Sequence, residues 1–207
     1  MKQLLLGIQP PAAQTLANFI VGRNAEALHS LKLALNGASE ARFIYLWGAQ
    51  GSGKSHLLHA CKRATAETNL TLYIADDVHT LNEEAQIALF DQFNQLRAAN
   101  GILITSGIAA PTKMGLRDDL ATRLAWGLVY QLQPLTDEEK AQVLKTHATE
   151  RGMKLPDEVV DYCLHYLRRD LPTLMAVLDA LDEWSLTEKK MVTVPMLKKL
   201  LQLNLEI

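Results

Sequence analysis

Cysteine is scarce in this chain: there are two, Cys61 and Cys163, among 207 residues. They form no C-x-x-C pair and fall in apolar helical patterns. That excludes a disulfide framework and a cysteine-built zinc site, and makes them reduced core thiols. Long hydrophobic runs are missing too; the longest are strand-sized, too short to cross a bilayer. The opening Met1-Lys2-Gln3-Leu4-Leu5-Leu6-Gly7-Ile8 has a charge followed by leucines. Its apolar part is too short for a secretion signal, and no small-residue cleavage site follows. The expectation is a cytoplasmic protein with no membrane attachment. No charge of one sign dominates: 21 basic against 23 acidic side chains leave a net charge of −2, which argues against a constitutive nucleic-acid binder. Internal repeats and low-complexity segments are absent. The rest is an ordinary globular composition, long enough for one domain or two small ones.

Against this background one stretch stands out. Gly48-Ala49-Gln50-Gly51-Ser52-Gly53-Lys54-Ser55 fits G-x-x-x-x-G-K-[ST], the phosphate-binding P-loop. The preceding Arg42-Phe43-Ile44-Tyr45-Leu46-Trp47 reads as a buried strand. The following 55–66 reads as a helix with Leu57, Leu58, Cys61 and Ala64 on one side. The chemistry requires this strand, glycine loop and helix. Glycines let backbone N–H groups curl around phosphate oxygens, and the helix N-terminus adds partial positive charge. Lys54 would reach the β- and γ-phosphates and the Ser55 hydroxyl would ligate Mg²⁺. The alternative is a glycine turn that happens to contain Lys-Ser.

Further along, Leu70-Thr71-Leu72-Tyr73-Ile74-Ala75 reads as a strand ending in Asp76-Asp77. An acidic pair there suits Mg²⁺ held through its water shell by Asp76; a helix N-cap or turn is the other reading. His56 and His59, three apart on the P-loop helix, lack a carboxylate partner and read as ordinary helix residues. Asn82 to Ala99 is a helix with Asn82 as its N-cap, and Asn100-Gly101 ends it before the strand Ile102-Leu103-Ile104-Thr105. An arginine-bearing turn, 118–127, precedes a last strand, 128–132. From Thr136 the pattern is helical only. Thr136-x-x-Glu139 is a capping box, and three further helices open at Pro156, Asp170 and Thr193 or Val194. The expected layout is an N-terminal peptide over 1–12, an α/β base over 13–134 and a helical lid over 135–207.

Phe19-Ile20-Val21-Gly22, Asp76-Asp77, the run Asp119-Leu120-Ala121-Thr122-Arg123-Leu124-Ala125-Trp126-Gly127 and Leu167-Arg168-Arg169-Asp170-Leu171 resemble the DnaA family of AAA+ ATPases. Because the pattern runs out after the lid, the expectation is a module without a C-terminal DNA-binding domain. With a Q-L-x-L-type leading peptide, that pattern is similar to the Hda branch of the family. The resemblance implies a negative regulator of DNA replication initiation that makes DnaA hydrolyse its ATP. Gln3, Leu4, Leu6 and Ile8 would dock in an apolar pocket of the DNA polymerase III sliding clamp, its β subunit. ADP, or alternatively ATP, would sit in the P-loop with Mg²⁺. Asp77 would stand at the place of the water-polarising carboxylate. Arg123 would be an arginine finger reaching in trans to ATP on DnaA. Other readings stand beside these: a folded-back or disordered tail for the N-terminal peptide, and a surface ion pair with Asp119 for Arg123. DNA would be met only through the clamp, and a homo-oligomer is a further partner the resemblance admits.

Departures from the family pattern carry expectations of their own. The first sensor position, an aspartate in DnaA-like proteins, is Gly107 here, and the second-sensor arginine is Pro172. Losing both removes a polar group and a cation from the γ-phosphate site, which implies negligible intrinsic ATPase activity. A strand and helix usual between the P-loop helix and Leu70 are also missing, so the expected sheet is parallel with four strands and a newly exposed edge. Competing functions are a self-hydrolysing AAA+ ATPase of the DnaC or clamp-loader type and a P-loop interaction module without hydrolysis.

Overall fold

The computed structural model describes residues 13–37, 42–66, 68–168, 170–188 and 190–204, with the backbone alone for 203 and 204. The proposed clamp peptide, Gln3, Leu4, Leu6 and Ile8, lies outside the described residues, as does Arg169. Two compact units divide the described chain, the first spanning Ala13–Pro134 and the second beginning at Leu135.

In the first unit the described residues form a four-stranded parallel sheet. Its strands are β1 (Phe43–Trp47), β2 (Leu72–Ala75), β3 (Ile102–Gly107) and β4 (Leu128–Gln131), in the order β2-β3-β1-β4. The helices are α1 (Ala25–Leu35), α2 (Lys54–Ala64), α3 (Glu83–Ala98) and α4 (Asp118–Trp126). Alternation along β1 explains the layering. Ile44 and Leu46 point into one core with Leu31, Leu57, Leu58 and Ile104. Tyr45 points into the other with Phe93, Leu103, Leu120 and Leu124. Strands buried on both faces are what a parallel sheet with helices above and below needs. The two inner strands carry this core, and β3 is buried along its whole length. As the sequence leads one to expect, β2 is an edge strand, with Tyr73 exposed. It begins two residues later than its β-rich sequence suggests.

Local signals place the helix ends. Asn82 Oδ1 accepts the Ala85 N–H at 2.9 Å, the expected N-cap of α3. At its other end Asn100 takes φ 53° and Gly101 N–H returns to Leu96 O at 2.7 Å, a Schellman closure. The stretch 118–127, expected as a turn, is a helix over most of its length. Leu120, Ala121 and Leu124 are buried on one side of it, and that amphipathic spacing sustains the helix.

The second unit contains α5 (Asp137–Glu150), α6 (Asp157–Tyr166), α7 (Leu171–Glu188) and α8 (Val194–Asn204). Thr136 and Glu139 form the capping box in both directions. Thr173 N–H donates to Asp170 Oδ1 at 3.0 Å, which caps α7. Leu144, Val160, Cys163, Leu174, Leu178 and Leu197 share one core. Burial pushes the Cys61 thiol up to about 12 and the Cys163 thiol up to about 11, so neither forms thiolate near neutrality. A thiol-disulfide reagent is therefore expected to label neither cysteine in the native protein at pH 8 and both in denaturant, measured by released chromophore.

Candidate functional site

At the C-terminal end of β1 the chain turns through three glycines with positive φ: Gly48 at 150°, Gly51 at 78° and Gly53 at 94°. Gly48 is needed for space as well as torsion, since a Cβ there would lie 2.4 Å from Leu132 O. Gly53 backs onto the Phe19 ring, which a Cβ would approach to 2.7 Å. The loop leads straight into α2, whose first residue is Lys54. Lys54 is buried, and its Nζ donates to Gly48 O at 2.9 Å and Ala49 O at 3.1 Å, so the ammonium lies against the loop. Ser52 Oγ is buried without a hydrogen-bond partner. A loop with an orphaned hydroxyl, an ammonium and a helix N-terminus fits a polyphosphate, whose oxygens would satisfy all three.

The two acidic residues after β2 differ in character. Asp76 accepts hydrogen bonds from Ser106 Oγ and, at 3.0 Å, from Asp77 N–H. Burial works to raise its pKa, but hydrogen bonds from the Ser106 and Ser55 hydroxyls and the Asp77 N–H outweigh that and hold the carboxyl below its usual range. Asp76 is therefore a carboxylate at neutral pH, beside the Ser55 hydroxyl that ends the P-loop motif, and the two side chains fit a hydrated divalent cation. Asp77 occupies the left-handed region with φ 48° and leads into a short 3₁₀ turn, Val78–Thr80, without capping it through its side chain. Its carboxylate is half-exposed, 3.9 Å from His79 Nδ1.

Gly107, at the end of β3, has a physical reason to lack a side chain. A Cβ there would lie 2.0 Å from Tyr45 Oη and 2.9 Å from Met114 Sδ. The buried Tyr45 hydroxyl donates to Ala109 O at 2.8 Å, so the phenol of the neighbouring strand fills this place. Its own burial, and then the negative charge of Asp77, push the phenol pKa up, so it stays protonated. Gly107→Ala is expected to cost about 1–3 kcal/mol by overpacking. The same change should cost less in a Tyr45→Phe background, read from denaturant midpoints. Additive losses would show that the phenol is not what excludes the side chain.

Arg123 lies half-buried on α4, with its guanidinium over the Phe90 and Phe93 rings at 5.8 Å from each centroid. The surface ion pair with Asp119 does not form. Arg117 holds Asp119 instead, at 2.9 Å. In the second unit Pro172 sits in the first turn of α7, where it supplies no cation, and Arg168 is exposed and pairs with Asp170 at 3.3 Å.

Several contacts were not read from the sequence. His56 Nε2 meets Thr15 O at 3.0 Å, and His59 Nδ1 meets Gln14 Oε1 at 2.7 Å, so both histidines of α2 hold the segment ahead of Phe19. Asn24 is buried and exchanges two hydrogen bonds with the backbone of Gln133, joining the start of α1 to the exit of β4. A buried asparagine directly before a helical pattern was the available signal. Ser106, buried just beyond the expected strand 102–105, braces Asp76.

Comparison with known proteins fits this geometry. Residues 137–201 match the family model described as "Hda, lid domain". Domain III of the replication initiation protein DnaA from Thermotoga maritima is 23% identical, superposes with a TM-score of 0.71, and covers 92% of this chain and 96% of its own. AMPPCP-bound DnaA from Aquifex aeolicus is 24% identical with a TM-score of 0.70, over 84% of this chain and 66% of that one. The Holliday junction branch migration motor RuvB of Thermotoga maritima follows at 17% identity and a TM-score of 0.60, over 90% and 70% of the two chains. With a P-loop on a parallel sheet, the chain has the fold of DnaA domain III, and its residues 137–201 match an Hda-type lid.

Proposed function

We propose that the chain is a nucleotide-bound regulator of DNA replication initiation, held in shape by ADP and Mg²⁺, that promotes hydrolysis of ATP on DnaA. The observation that carries this reading is the filling of the Gly107 position by Tyr45 beside a complete P-loop and an Asp76–Ser55 pair. Such a site retains the parts that hold phosphates and a metal, and lacks the polar group that would respond to a γ-phosphate. The Hda-type lid and the AMPPCP bound to the DnaA of Aquifex aeolicus support adenine nucleotide as the ligand. Gly48 to Ser55 would hold the phosphates, Ser55 and Asp76 the metal, and Arg123 would complete the site of the neighbouring DnaA. Gln3, Leu4, Leu6 and Ile8 would fasten the regulator to the sliding clamp. Two or three leucine-sized anchors, about 1.5–3 kcal/mol each before ordering costs, support a weak contact. A clamp with several equivalent pockets strengthens it by avidity.

The test is hydrolysis of DnaA-bound ATP in the presence of clamp loaded on DNA, with the chain added. Acceleration that Gln3→Ala with Leu6→Ala reduces, and Arg123→Ala removes, is the expected result. No acceleration by the wild-type chain overturns the reading. An intrinsic turnover of about 1 s⁻¹ that Lys54→Ala abolishes would assign it to self-hydrolysing ATPases instead.

A further inference from the structure

At the N-terminal ends of the strands, opposite the P-loop, lies an open cleft of about 460 Å³. Arg42 just before β1, Arg97 on α3, Asn100 and Gly101 before β3, Trp126 at the end of α4 and Leu128 at the start of β4 form its walls. Trp126 is a large aromatic side chain left 59% exposed. One side of its indole packs edge-on against Phe43 and Phe93, with centroids 6.0 and 6.3 Å away. The Arg97 guanidinium lies over the ring at 5.0 Å and, among the described residues, has no carboxylate partner. Arg42 donates to Asn100 O, which fixes a second guanidinium in the same wall. Among the described residues, the walls hold no acidic side chain.

Two fixed guanidiniums beside an exposed indole suit one kind of occupant. Carboxylates match the planar guanidinium fork, and an apolar neighbour covers the indole and Leu128. The volume is within the range of about 300–1,000 Å³ that holds small ligands, enough for a short peptide segment rather than a folded surface. Nucleic acid fits less well. The walls offer two cations without a track along which a phosphate backbone would run, Arg97 already faces the indole, and the chain carries net negative charge. We infer that this cleft is a docking site for an acidic segment of a partner protein, with carboxylates on Arg42 and Arg97 and an adjoining apolar side chain against Trp126. It is separate from the phosphate loop, so it does not depend on the nucleotide reading.

The experiment is fluorescence anisotropy with the full chain. The probe is a fluorescein-labelled octapeptide, Glu-Phe-Glu-Leu repeated twice. Its counterparts are the same peptide with lysine for glutamate, and labelled oligothymidylate. Saturable binding of the acidic peptide is expected, weakened by at least about tenfold in Arg97→Glu and by rising salt. Trp126→Ala should weaken it as well. Arg97→Glu changes an exposed side chain, and an unchanged melting curve certifies its fold, so the proposal does not hang on the tryptophan variant alone. Equal affinity of wild type and Arg97→Glu, binding of the lysine peptide or oligothymidylate in preference, or no binding of the acidic peptide would each overturn it.

Discussion

Arg123→Ala is expected to lower the stimulated hydrolysis of DnaA-bound ATP by about 10³-fold or more, read as a single-turnover rate with clamp on DNA. A guanidinium supplied in trans to a phosphoryl-transfer site is worth about 10³–10⁵ in rate, or about 4–7 kcal/mol of barrier. In the free chain the same group rests over Phe90 and Phe93. Leaving those rings costs about 0.5–1 kcal/mol for each exposed cation–π contact and about 2 when desolvated. For a half-buried arginine that sum is smaller than the gain at a transferring phosphoryl group, so the side chain can exchange one site for the other. Arg123→Lys should restore little, because an ammonium lacks the planar fork that spans phosphoryl oxygens. Nucleotide retention by either variant should match wild type, since α4 contributes nothing to the loop from Gly48 to Ser55. Equal rates for Arg123→Ala and wild type would remove the finger from the mechanism.

Gly48→Ala should cost about 3–5 kcal/mol and lower the melting temperature by roughly 10 °C, measured by thermal denaturation, with binding of a fluorescent ADP analogue lost as well. Two penalties add. The residue holds φ 150°, where a side chain is strained, and its Cβ would sit 2.4 Å from Leu132 O. That oxygen has little freedom to withdraw, because Leu132 N–H donates to Trp47 O at 2.7 Å and its side chain is buried in the core beside Leu46. Gly51→Ala is the control. Nothing lies within 4 Å of a Cβ there, so only the torsional penalty of about 1–2 kcal/mol applies. A Gly48→Ala protein as stable as Gly51→Ala would mean that the loop relaxes away from β4.

Most of the base was legible because its signals are local. A glycine loop between an apolar strand and an amphipathic helix, an acidic strand end, an asparagine N-cap and a capping box each act within a few residues of themselves. The sheet's four strands and its exposed edge followed from a missing segment. The contacts that stayed hidden join distant parts of the chain. Asn24 finds Gln133 across more than a hundred residues, and Tyr45 fills the space at Gly107 from the adjacent strand. Arg117 competes for Asp119 from two positions away and leaves Arg123 to the aromatic rings. Spacing also undersold α4: a three-residue buried face is enough for a helix, yet its charged ends read as a turn.

The pairing of His56 with Thr15, of His59 with Gln14 and of Gly53 with Phe19 gives the start of the described chain a mechanical meaning. A pull on residues 13–19 is delivered first to the helix that begins at Lys54. Trimming the chain at residue 12 and trimming it past Phe19 are therefore different operations. The first leaves these three contacts in place; the second strips the bolt from the back of the glycine loop.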